Sequence, residues 1–171
     1  MDPVITTGQP VPAFCLPDLQ GASHCLEEAA GRILVLNFWS AECPWSERCD
    51  QEIYSYLSGW SESVRWWSVA CNANESPQMV SEVAAERRLP LLLHDVRQTL
   101  TELYGAQTTP HVFVVDRSGF LRYQGAINDR TFRKRQPNRF YLRDAVQALL
   151  DGRAPDPDCT VPYGCAIVRN L

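Results

Sequence analysis

Cys43 is the residue in this chain best placed to do chemistry. The run Ile33-Leu34-Val35-Leu36-Asn37-Phe38-Trp39 reads as a buried strand, and Ser40 to Ser46 as the turn that feeds a helix. A cysteine at a helix N-terminus faces unpaired N–H groups and the positive end of the macrodipole, and both favour a thiolate. An unshifted thiol, with a pKa of about 8.5, is roughly 3% ionised at pH 7; bringing it to about 6.5 makes thiolate the main form. Arg48 adds to the positive field, whereas Glu42 opposes it if its carboxylate turns inward. A cysteine three residues on would complete a dithiol pair, but that position holds Ser46. The expected chemistry is that of one attacking sulfur, with any resolving thiol supplied from elsewhere.

Other cysteines are candidates for that second role. Cys49 is nearest, but six helical residues rise about 9 Å and turn about 240°, whereas a disulfide needs Cα atoms within about 7 Å. Cys49 also falls on an apolar stripe with Ile53, Tyr56, Leu57 and Trp60, so it reads as core. Cys159 and Cys165 flank Thr160-Val161-Pro162-Tyr163-Gly164 near the C-terminus, and a tail suits a thiol that must travel to its target. The alternatives are a bond between these two across the turn, or Cys165 opening a short strand with Ala166-Ile167-Val168. Cys71 ends a strand on the same sheet edge as Cys43, while Cys15 and Cys25 read as core or surface residues.

Thr109-Pro110 precedes a buried strand, since proline cannot sit inside a central one. If the bond is cis, Thr109 presents its backbone as an open edge for an extended peptide or a mixed disulfide. His111 stabilises a thiolate or shuttles protons if it faces Cys43; otherwise it is a satisfied core histidine.

A chain of 171 residues fits one domain with a sizeable core, and 45% apolar with 21% charged residues is ordinary for a globular protein. A net charge of −4 gives no pull toward nucleic acid or anionic membrane. No apolar run approaches the roughly 18 residues of a membrane span. Met1-Asp2-Pro3-Val4 begins no basic-then-apolar segment, so the expected location is cytoplasmic. Seven cysteines suit either a disulfide framework with one thiol over, in an oxidising compartment, or mostly buried apolar residues in a reducing one; the second is preferred. Their spacing forms no zinc site, and the glycines form no phosphate loop, so no metal or cofactor is expected. Between Arg130 and Arg139 lie five of the sixteen basic residues, read as a solvated loop with docking of an acidic protein as the alternative.

The elements that must position these residues alternate. After a turn-rich start come strand Ile33–Phe38, the helix after Cys43 (with Gly59 favouring an early end), and strand Val64–Cys71. Ser76 and Pro77 open a second helix, followed by a short strand at Leu91–Leu93 and a helix Gln98–Tyr104 stopped by Gly105. His111–Asp116 and Phe120–Gln124 form a hairpin turned at Gly119, and a last helix carries Leu142 to Leu150. This order predicts an α/β fold, a mixed sheet with helices on both faces and Cys43 at the C-terminal edge of the parallel strands.

The segments Phe38-Trp39-Ser40-Ala41-Glu42-Cys43-Pro44-Trp45-Ser46 and Thr109-Pro110 resemble the thioredoxin-like superfamily. The opening Gly8-Gln9-Pro10-Val11-Pro12-Ala13-Phe14, Tyr104-Gly105-Ala106, His111 to Asp116 and Gly164-Cys165-Ala166-Ile167-Val168 resemble more narrowly its alkyl hydroperoxide reductase and thiol-specific antioxidant (redoxin) branch. The resemblance implies a thioredoxin-like three-layer sandwich over residues 1–152, with 153–171 as a tail packed on or near it. It implies that Cys43 is the attacking cysteine and Pro110 the cis-proline, with Ser46 in place of the second cysteine of a dithiol motif. Thr109 and Pro110 would hold an extended partner, and Cys165, Cys159 or an external thiol would resolve. The implied activity is thiol-disulfide exchange with a disulfide-containing protein or small thiol, regenerated by an external thiol reductant. The alternatives are a peroxiredoxin-like thiol peroxidase and a binding module without turnover. Ser40 falls where peroxiredoxins carry a threonine or serine, but Leu36 replaces the proline of that motif. The two-cysteine pattern of copper-carrying relatives is missing.

Overall fold

Seven consecutive buried residues make β3 (Ile33–Trp39) the axis of the molecule. The computed structural model describes residues 4–171, so the reading of Met1-Asp2-Pro3 lies outside the described residues. In chain order the elements are β1 (Cys15–Pro17), β2 (Ser23–Cys25), β3, α1 (Pro44–Trp60), β4 (Val64–Ala70), α2 (Pro77–Glu86), β5 (Leu92–His94), α3 (Thr99–Tyr104), β6 (Thr108–Thr109), β7 (His111–Val115), β8 (Leu121–Gly125), α4 (Tyr141–Leu150) and β9 (Cys165–Ala166). Short 3₁₀ turns at Leu26–Ala29 and Ser61–Ser63 lead into β3 and β4. Among the described residues no helix is long and apolar enough to cross a membrane.

The main sheet runs in the order β5-β4-β3-β7-β8. β3 pairs parallel with β4 and antiparallel with β7, so the sheet is mixed. Side chains alternate across it. Leu34, Leu36 and Phe38 point to the face covered by α3 and the β1–β2 hairpin, where they join Leu16, Leu100, Tyr104 and Phe113. Ile33 and Val35 point the other way, to Ile53 of α1 and Leu142 and Val146 of α4. Trp39, on that same face, packs with Val80 of α2. The result is the expected three-layer α/β sandwich.

Local signals explain most of the boundaries. Ser76 caps α2 by accepting the amide of Met79 at 3.2 Å, with Pro77 at the first helical position. Gly105 ends α3 at a φ of +64°, a conformation that costs glycine little. Two expectations shift. Gly59 does not close α1 early, because burial of Ile53 and Trp60 outweighs a propensity cost of about 1 kcal/mol. Cys15 and Cys25 are not independent core or surface residues; they form a disulfide with Cα atoms 4.0 Å apart. The reason is register: they are partners across the β1–β2 ladder, which sequence spacing alone does not fix.

Asn37 is the one polar residue of β3; it is fully buried, its amide faces the Cys49 thiol, a weak partner, and neither side-chain polar atom makes a hydrogen bond of good geometry. An unpaired buried amide costs about 1–3 kcal/mol. Asn37→Val is therefore expected to stabilise the protein by about 1 kcal/mol, read as a higher urea midpoint with an unchanged slope. A lower midpoint would show that the amide is satisfied in solution.

Candidate active site

Cys43 stands directly before Pro44, the first residue of α1, and its carbonyl accepts the Glu47 amide at 3.1 Å. It is thus the residue at the helix N-terminus, where orphan amides gather. Its sulfur is buried and bonded to Cys165 across 122 residues of sequence, with Cα atoms 6.1 Å apart. The Thr109 carbonyl oxygen lies 3.0 Å from the Cys43 sulfur. Thr109–Pro110 is a cis peptide. Cys43, Thr109, Pro110 and Cys165 therefore meet at one point.

The tail reaches that point by strand pairing. β9 lies antiparallel to β6, with Thr109 opposite Cys165 and Thr108 opposite Ala166. Gly164 makes the approach possible: a Cβ there would collide with the Thr109 carbonyl. Beyond Cys165, Ile167 is buried in the core and donates its amide to the Gln107 carbonyl at 3.2 Å. Val168 donates its amide to Asn72 Oδ1 at 2.9 Å, and its carbonyl accepts from Ala73 N at 3.0 Å and Gln98 Nε2 at 2.8 Å. Gln98 is the left-handed residue before α3 rather than its first helical one, and Nε2 also donates to the Cys71 carbonyl. The edge that β6 offers is occupied by the chain's own tail.

The loop before Cys43 is held from beneath. Ser46 is fully buried, and its hydroxyl accepts the Ser40 amide at 3.3 Å, closing the turn. The buried Glu75 carboxylate accepts the Ser40 hydroxyl and the amides of Ala41 at 3.0 Å and Glu42 at 3.2 Å. Arg87 donates to the Ala41 carbonyl at 2.9 Å and to Asp50 at 3.2 Å, and Asp50 also accepts from the Trp39 indole at 2.8 Å. Spacing gave no sign of Glu75, Asp50 or Arg87. The polar turn Asn72 to Ser76, on the same sheet edge as Cys43, is the signal that could have found Glu75.

The remaining candidates fall elsewhere. His111 fits the reading of a satisfied core histidine: its ring lies 4.4 Å from that of Phe113, and Nδ1 accepts the Gln107 amide at 3.2 Å. Burial pushes its pKa down to about 4, so it is a neutral core histidine. Cys159 is exposed beside Gln124 of β8 and unbonded. Cys49 and Cys71 are buried and free. Burial, helped by the Asp50 and Glu52 charges, pushes the Cys49 thiol well up, and burial takes Cys71 to about 12, so both are poor nucleophiles. Among the described residues no group of three or more His, Cys, Asp or Glu is arranged to hold a metal ion.

Residues 7–124 match the AhpC/TSA family. The thiol-disulfide oxidoreductase ResA of Geobacillus thermodenitrificans is 29% identical over 124 residues, covering 69% of this chain and 68% of the relative. The thiol:disulfide interchange protein DsbE of Pseudomonas aeruginosa is 25% identical over 165 residues, covering 87% and 80%. An uncharacterized conserved protein from Geobacillus kaustophilus superposes with a TM-score of 0.88 at 24% identity, over 96% of this chain and 93% of that one, a likeness of fold.

Two measurements probe the site. Gly164→Ala is expected to cost roughly 1–3 kcal/mol in the reduced protein, because β9 must withdraw from Thr109, and to slow closure of the Cys43–Cys165 bond; wild-type values in both would mean that the tail is not so tightly docked. The second concerns pH. Burial holds the Asp50 carboxyl up at about 6 against an ordinary 3.8, so its stabilising contribution is complete below pH 3.8 and is lost as pH rises through about 6. His111 has the opposite sign: its contribution is present above 6.5 and is lost as pH falls through about 4. Denaturation midpoints of Asp50→Asn across this range are expected to lose the decline on the alkaline side and keep the acid-side loss. A profile parallel to wild type would place Asp50 among ordinary carboxyls.

Proposed function

The chain belongs to the AhpC/TSA family, and from that premise and the Cys43–Cys165 bond we propose that it is a thiol-disulfide oxidoreductase with one attacking cysteine and a resolving cysteine in its tail. The Cys43 thiolate attacks one sulfur of a partner disulfide, forming a mixed disulfide and releasing the other partner sulfur as thiolate. The Cys165 thiolate then attacks the Cys43 sulfur, the second partner sulfur leaves, and the Cys43–Cys165 disulfide remains. Two electrons have passed from the protein dithiol to the partner. An external thiol reductant returns the protein to its dithiol form, and the cycle is reversible in principle.

One observation carries this reading: Cys165 is bonded to Cys43 at a helix start beside cis-Pro110, while Ser46 leaves no thiol in the first turn. The job done by the second cysteine of a dithiol motif passes to the tail. Thr109 and Pro110 would hold an extended partner once β9 leaves β6, and amides of the first turn of α1 would stabilise the anion. The names of the relatives, thiol-disulfide oxidoreductase and thiol:disulfide interchange protein, favour protein disulfides as substrates. The peroxidase reading is weaker, because the Ser40 hydroxyl is committed to Glu75. Two intramolecular disulfides suit an oxidising compartment better than the cytoplasm expected from the opening residues. Resolution by Cys165 leaves exposed Cys159 outside the reaction.

Mass mapping of trapped species tests the assignment with a disulfide-linked peptide pair as substrate. Cys43→Ser is expected to abolish exchange, and Cys165→Ser to stall as a mixed disulfide at Cys43. Exchange that survives Cys43→Ser would overturn the proposal. Peroxide consumption that outpaces disulfide exchange would move the assignment to the peroxidase.

A further inference from the structure

Beside the Cys43–Cys165 bond lies a narrow crevice that the reaction above leaves unused. Trp45 and Arg48 of α1 form one wall, Asn128 and Arg130 the other, with Pro110 and Tyr163 also lining it. Its open space is about 30 Å³, room for a small polar head group rather than a ring.

Its charges are unbalanced. Glu52 is the sole carboxylate of the lining, and both of its oxygens are engaged, one by Asn128 Nδ2 and the other by the Tyr56 hydroxyl at 2.7 Å. Arg130 Nε is buried with no hydrogen-bond partner. Arg48 rests its guanidinium 4.8 Å above the Trp45 ring, and among the described residues it forms no ion pair. A buried N–H without an acceptor is costly, and an anionic oxygen is the acceptor that repays it best. The crevice also continues onto the basic loop. The Tyr163 hydroxyl accepts the Phe132 amide at 2.8 Å, and Phe132, Arg133 and Arg135 are exposed next to it in sequence. Lys134 is the member of this loop already paired, with Asp129.

We propose that this crevice is a carboxylate subsite that takes an acidic side chain close to the reacting cysteine of a protein partner. The proposal rests on the thiol-disulfide reading: once β9 leaves β6, a partner strand laid along Thr109–Pro110 brings its neighbouring residues to the Pro110 end of the crevice, whose Trp45, Arg48, Asn128 and Arg130 do not belong to the tail. It gives a protein of net charge −4 a local positive face at its reactive sulfur.

Two arms test it. In the first, unreactive peptides with serine for cysteine and either Glu or Gln beside it are titrated into the Cys43→Ser variant, in which no disulfide pins β9 on Thr109, and the Arg48 and Arg130 Nε–H signals are followed by NMR. The Glu peptide is expected to shift Arg130; identical spectra with the two peptides would overturn the proposal even if exchange proceeds. In the second, the reduced protein exchanges with the matching peptide disulfides. The Glu pair is expected to react about tenfold faster at low salt, with the advantage falling at high salt and approaching a ratio of one in the Arg48→Gln/Arg130→Gln variant. Equal rates for the Glu and Gln pairs would also overturn it. Glutathione disulfide outpacing the Glu pair would overturn the protein-partner assignment. If no disulfide exchanges but the Glu peptide still moves Arg130, the reaction reading fails and the subsite stands.

Discussion

The antiparallel pairing of β9 with β6 is the contact on which the site depends. The short strand β6 before Pro110 offers the Thr109 backbone as an edge, and an exposed edge is a template for an extended chain. Here the chain supplies its own strand, with Cys165 opposite Thr109 and therefore within bonding reach of Cys43. Gly164 lets the two backbones approach, and the anchors that follow, Ile167 in the core and Val168 between Asn72 and Gln98, fix the register. A partner that uses the same edge must compete with this strand, so the segment that covers the edge is also the one that carries the disulfide partner of Cys43.

The second constraint is the loop that carries Cys43. Its own Ser40 and Ser46 close the turn, and groups from other elements hold the rest. Glu75, from the connection after β4, gathers the Ser40 hydroxyl and two amides, while Arg87 from the end of α2 takes the Ala41 carbonyl and Asp50. These buried charges are stable only because each has hydrogen-bond partners; removing one would leave its counterpart unpaired in a low-dielectric setting. Asn72 connects the two systems, since its Oδ1 accepts the Val168 amide and its Nδ2 donates to Glu75 at 3.4 Å. Tail and loop thus share a support in Asn72.

Much of this was legible beforehand. Buried runs, a Ser-Pro helix start and glycine stops are local signals, and the strands and helices formed close to where those signals put them. Cys43 at a helix start and Thr109-Pro110 before a strand were readable because each depends on a few adjacent residues. Cys165 was readable as a candidate alongside Cys159, with nothing local to choose between them. Hidden altogether were the Cys15–Cys25 pair and the Glu75 and Arg87 props, while a satisfied core setting for His111 was one of two readings left open.

The division has a physical basis. Hydrophobic periodicity, turn chemistry and helix-end preferences are short-range, so the sequence by itself determined the α/β order of elements and set one cysteine where a strand gives way to a helix. Disulfide partners, buried carboxylates and the burial of a histidine depend on which distant segments the sheet brings together. Strand register and the docking of the tail decided those, and with them the choice of Cys165 over Cys159 as the partner of Cys43.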